Sequence, residues 1–158
     1  MSRSSWTEDV VASLEESTTV ALTGAHGGLP GFAISQISRR LDKRIVVVTA
    51  GAERLQETVD SIRFFASREL QVLALPADDI DPYQPLAPSR QRCLQRLHTL
   101  SAVANPLSDH RQIVVTSIRA LLTKALSVET VRNHRLVLQP GDEIDRSDLA
   151  DWLERAGY

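Results

Sequence analysis

The residues with the clearest chemical suggestion are glycines. Gly24-Ala25-His26-Gly27-Gly28-Leu29-Pro30-Gly31 follows a short β-branched run and precedes a helical pattern, which is where a phosphate-binding loop stands. Such a loop uses backbone N–H groups to cradle phosphates, a lysine to reach the β and γ groups, and a hydroxyl to hold magnesium. Counted from Gly24, Leu29 stands in place of the second glycine, Pro30 in place of the lysine and Gly31 in place of the hydroxyl residue. Both reactive side chains are missing, and Pro30 also removes a backbone donor from the helix start. Gly24, Gly27, Gly28, Pro30 and Gly31 therefore form a degenerate loop, expected to act as a strand-to-helix turn with no catalysis and no bound cofactor. The alternative is a nucleotide- or anion-binding protein that holds its ligand through the backbone of the Gly24–Gly31 loop, chiefly at Gly27 and Gly28.

The remaining candidates have plainer readings. Asp142-Glu143-Ile144-Asp145 has the look of a magnesium-holding acidic box, but Gln139-Pro140-Gly141 separates it from the preceding apolar run, and Asp145 is expected to cap a helix. Asp78, Asp79 and Asp81 lack the spacing, the glycine and the terminal Glu of a calcium loop and read as a solvated acidic segment. His26, His98, His110 and His134 are far apart and Cys93 has no cysteine partner, so no zinc spacing exists and no metal is expected. A Cys/His enzyme would need Cys93 and the histidines to converge in space. Arg39, Arg40, Lys43 and Arg44 close a helix, where cations suit the macrodipole. Arg90, Arg92 and Arg96 crowd a helix start, where the dipole disfavours them, and are the candidates for contact with a partner.

The elements that must position these residues alternate. Ser5-Trp6-Thr7-Glu8 has capping-box spacing and opens a helix over 5–16. Residues 18–23 and then Ile45 to Thr49, Gln71 to Leu75, Ile113 to Thr116 and Leu136 to Leu138 read as strands. Between them Phe32, Ala33, Ile37 and Leu41, then Leu55, Val59, Ile62 and Phe65, then Leu94, Leu97, Leu100 and Val103, recur at helical spacing. Ile118, Leu121 and Leu122 mark a short helix, and Leu149, Trp152 and Leu153 mark the last. Strands alternating with helices imply an α/β fold with a mostly parallel sheet and flanking helices, and ligands at the carboxyl ends of the strands. The glycine loop is expected at such an end.

A chain of 158 residues, 42% hydrophobic and with a formal charge of -2, is long enough for a real core and shows no general pull toward nucleic acid. Direct DNA binding is not expected. The lone Cys93 and the lack of an apolar stretch near the amino terminus suit a cytoplasmic, unexported protein with no membrane partner.

Several segments, in order, resemble one family. Val20-Ala21-Leu22-Thr23-Gly24 with its decayed loop, then Arg44 to Thr49, is similar to the opening of the bacterial transcription-repair coupling factors (Mfd). Asp81-Pro82-Tyr83-Gln84-Pro85-Leu86-Ala87-Pro88 resembles the family's "PYDPFSP" loop, and Gln95 to Leu100 its "ERLATL" helix. Ile113 to Leu122 is similar to "IVVTPVRALLQ", Leu136 to Asp142 to "LVLKVGD", and Leu149 to Tyr158 to "LVALGY". Pro30 and Gln95 depart from the commoner pattern. The resemblance implies a P-loop NTPase (RecA/UvrB domain 1)-like fold with a degenerate phosphate loop. It implies a UvrB-like degenerate motor domain over 1–145 and the first helix of a truncated UvrA-interaction domain over 146–158. It further implies a non-catalytic scaffold or interaction module in transcription-coupled nucleotide excision repair, with UvrA and the other domains of the coupling factor as partners. The ATP-dependent DNA translocase motor of such a factor would lie outside this sequence.

Overall fold

The structure, a computed structural model, describes residues 6–17, 19–41, 43–77, 89–106 and 111–155. The capping residue Ser5, the acids Asp78, Asp79 and Asp81, the proline-rich loop and His110 lie outside these residues. The elements are α1 (Trp6–Glu16), α2 (Leu29–Arg40), β1 (Ile45–Thr49), α3 (Ala52–Phe65), β2 (Leu70–Leu75), α4 (Arg90–Ala104), β3 (Arg111–Ser117), α5 (Ile118–Leu122), α6 (Val128–Asn133) and α7 (Arg146–Arg155).

The protein is α/β, with a small parallel sheet in the order β1-β3-β2 and helices around it. β3 lies at the centre because it is the strand buried on both faces, from Gln112 through Ser117. Its register with β1 (Ile45↔Ile113, Val47↔Val115) and with β2 (Val72↔Ile113, Ala74↔Val115) sets these residues on one face. Leu55, Val59 and Ile62 of α3, spaced along one helical face, close over them and form the core with Leu70, Val72, Ala74, Ile113 and Val115. Leu73 and Val114 point to the opposite face and are also buried. There α4 is fastened to the strands by side chains that reach backbone carbonyls: Thr99 Oγ1 donates to Ala74 O at 2.6 Å and Gln112 Nε2 to Ala102 O at 3.1 Å. This second layer stops short of β1, whose Val46 and Val48 are 55% and 49% exposed.

Two expected strands are not formed. Residues 19–23 and Leu136 to Leu138 are irregular. Leu22 is 50% exposed and Val137 53%, so neither run finds the covered faces and ladder partners that make β-branched segments stable as strands. The sheet has three strands among the described residues instead of the five expected. α6 is the opposite case, a short helix with no apolar periodicity to announce it, started by Ser127, whose hydroxyl accepts from Thr130 N at 3.0 Å. The last helix starts as expected: Asp145 accepts from the Ser147 and Asp148 amides and from the Ser147 hydroxyl. Those donors hold its carboxyl below the usual carboxylate range, the Ser147 side chain contributing most.

Candidate functional site

The glycine loop is built by two left-handed residues and a helix start. Gly24 has φ +77 and Gly27 φ +58, a region that side-chain-bearing residues rarely adopt. Gly28 stands at the N-cap without a side-chain cap, and α2 follows with Pro30 in its first turn. Four backbone groups at a helix start lack intrahelical acceptors and form the usual anion cradle. Here the Leu29 amide is engaged by His26 O at 3.2 Å and Pro30 has none. Only the Gly28 and Gly31 amides remain, and both glycines lie beside α3. A Cβ on Gly28 would stand 3.6 Å from the Phe65 ring, and one on Gly31 would stand 2.7 Å from the Ser61 carbonyl carbon.

These two contacts also locate the loop. α3 starts at Ala52, directly after β1 ends at Thr49, and runs back to Phe65 before β2 begins. Phe65 therefore lies at the amino end of the parallel strands, and Gly28 beside it. The expectation that the loop sits at a strand carboxyl end is corrected: among the described residues no strand precedes it, and α2 is held instead by its packing on α3. Gly31, with the buried Ser35 and Ser38, forms a small-residue stripe on α2. The stripe lets the helix backbones approach closely at Ser61. Around it, Trp6, Phe32 and Phe65 form an aromatic row with centroid separations of 6.3 and 5.3 Å.

At the actual carboxyl ends of the strands the hydroxyls are engaged on backbone. Thr49 Oγ1 donates to Thr116 O and Gly51 O, both at 3.1 Å, and Thr116 Oγ1 donates to Leu75 O at 3.1 Å. The hollow beside them is lined by Ala50 to Arg54, with Glu53 in the first turn of α3, where a carboxylate competes with any bound anion.

The arginine candidates separate. Arg96 is 7% exposed and its guanidinium donates to Pro76 O at 2.5 Å, closing the end of β2. Of the three expected contact residues, Arg96 runs inward, where it supplies a donor to a carbonyl at the β2 exit. Arg90 and Arg92 are exposed. Arg39, expected only to favour the helix dipole, also donates to Phe65 O at 3.1 Å, and Arg111 donates to Arg39 O at 2.9 Å. His26 is in the loop before α2, Cys93 and His98 are on α4, and His134 follows α6; no group of three metal-ligating side chains occurs among the described residues. Asp142 accepts from Gln139 N at 2.7 Å and Gly141 takes φ +99, so the acidic segment is a turn and a helix entry, as its spacing predicts.

No family model matches the chain. Over 154 residues it is 27% identical to the transcription-repair-coupling factor of Myxococcus xanthus, a match that covers 94% of this chain and 13% of the relative. The similarity agrees with the resemblance read from the ordered motifs. The chain thus spans about an eighth of the relative's length. No helix among the described residues is long and apolar enough to cross a membrane.

Proposed function

We propose that this chain is a non-catalytic scaffold or interaction module of a transcription-repair coupling factor, acting in transcription-coupled nucleotide excision repair. The similarity over 94% of the chain carries the reading. In it, residues 1–145 are a UvrB-like motor domain whose phosphate loop has decayed, and α7 begins the surface that meets UvrA. The partners are UvrA and the remaining domains of the coupling factor, in the cytoplasm.

The geometry supports the absence of nucleotide chemistry at the loop. Phosphoryl transfer relies on a lysine, a metal-holding hydroxyl and converging amides. Here the glycine, lysine and hydroxyl positions carry Leu29, Pro30 and Gly31, Pro30 has no amide to offer, and the Leu29 amide is engaged by His26 O.

The test is calorimetry with ATP and magnesium on the purified chain, followed by pull-down with UvrA. The expected result is no heat of ATP binding together with retention of UvrA. ATP binding in the micromolar range, about -8 kcal/mol, abolished by substitutions at Gly27 and Gly28, would overturn the decayed-loop reading in favour of an anion-binding protein. Failure to retain UvrA would restrict the partners to other parts of the coupling factor.

A further inference from the structure

Between α4, α6 and α7 lies a hollow of about 440 Å³. Its walls are Leu97 of α4, Val131 of α6, Leu126 and Leu136 on either side of α6, and Trp152 of α7. The volume falls within the range of small-molecule sites, roughly 300–1,000 Å³, and the mostly apolar wall is typical of them. Two smaller hollows adjoin it. One, of about 170 Å³, shares Ser101 and Arg135 with it. The other, of about 130 Å³, shares His134 and Trp152 and adds Arg155.

Charge distinguishes this groove from the rest of the surface. The chain carries 20 Asp+Glu against 18 Lys+Arg, yet among the described residues no acidic side chain lines any of the three hollows. Arg135 lines the large hollow itself, and Arg155 lines the smaller one that shares His134 and Trp152 with it. The Arg135 guanidinium has no hydrogen bond or ion pair among the described residues, while Arg155 Nε donates to Asp151 O at 3.1 Å. Trp152 is half-buried on a helix with no fully buried residue, and it lines both the large hollow and the smaller one beside it.

We propose that this cleft binds a small aromatic anion, its ring held between Trp152 and the leucines and its carboxylate or sulfonate by the Arg135 fork. Arginine suits that role because its planar donors match a two-oxygen acid group. The site is separate from the glycine loop and stands or falls independently of the coupling-factor reading.

The probe is anilinonaphthalene sulfonate, titrated into the whole chain carrying Trp6→Phe, so that Trp152 is the sole tryptophan donor. The expected result is saturable energy transfer with one probe per chain. Arg135→Ala should weaken binding about tenfold, the scale of one charge-assisted hydrogen bond. Leu97→Asp, on the exposed side of α4, should abolish binding. Neutral N-phenylnaphthylamine should bind equally to the parent and to Arg135→Ala. Circular dichroism of each variant checks that the fold is kept. Absence of energy transfer, non-saturable binding, or equal sulfonate affinity in the parent and Arg135→Ala overturns the proposal.

Discussion

An alanine at Gly31 would set a methyl carbon 2.7 Å from the Ser61 carbonyl carbon and 2.8 Å from Ser61 Cβ, and closer still to Ser61 Oγ. The side chain of Ser61 can rotate, but its carbonyl carbon cannot. That carbon belongs to α3 immediately before Ile62, which with Val59 is fully buried in the core. α3 can therefore yield only by opening its contact with β2 and β3, and α2 only by losing the Ser35 and Ser38 packing. Overpacking of a rigid site costs about 3 kcal/mol, and alanine returns about 1 kcal/mol over glycine in a helix interior. The net expectation for Gly31→Ala is a loss of about 2 kcal/mol, a fall in melting temperature of about 4–8 °C for a chain of this size. Urea unfolding followed by circular dichroism measures it. A Ser61→Gly change in the same chain should recover only part of the loss, because the carbonyl carbon remains. Stability within about 0.5 kcal/mol of the parent would refute the argument that Gly31 is a packing residue.

Other consequences follow from individual contacts. Ser61 Oγ is buried without a hydrogen-bond partner, so Ser61→Ala should leave stability unchanged or raise it by up to about 1 kcal/mol in the same urea assay. Thr99→Val removes the hydroxyl that donates to Ala74 O while nearly keeping the volume, and should cost about 1–2 kcal/mol by thermal unfolding. Arg96→Met should destabilise the fold markedly in that assay because the β2 exit loses the donor to Pro76 O, whereas Arg90→Ala and Arg92→Ala should act on partner retention in the UvrA pull-down. The Asp145 carboxyl, held low by Ser147 and Asp148, caps α7 in its charged form. Its stabilisation is complete above the ordinary carboxylate range and is lost as pH falls through the lowered folded value. Amide exchange at Leu149 should accelerate only below that range, and Asp145→Ala should remove the dependence.

Much of the architecture was legible in the residues. The unbroken run Ile45-Val46-Val47-Val48-Thr49 is a strand because β-branched residues suit a pleated backbone, and its flanking helices were announced by Phe32, Ala33 and Ile37 and by Leu55, Val59 and Ile62. Asp145 as a cap needed only local chemistry, and so did the absence of a lysine and a hydroxyl residue from positions 30 and 31 of the glycine loop. The arginines at 90–96 were less legible: their charge was visible, but which one turns inward depends on carbonyls left bare at the end of a distant strand.

What composition and spacing alone determined were the properties carried by neighbours along the chain: helical faces, caps, turns, and a loop without a lysine or hydroxyl. Tertiary structure decided what depends on partners far away. Val20-Ala21-Leu22-Thr23 and Leu136-Val137-Leu138 have the makings of strands, but a strand exists only where it pairs with another, and neither run pairs with the β1-β3-β2 sheet. Gly31 was legible only as a missing hydroxyl; its actual constraint is Ser61, thirty positions further along the chain, pressed against it across two helices. The groove at Trp152 is likewise assembled from α4, α6 and α7, and three-dimensional proximity of that kind leaves no periodic trace in the sequence.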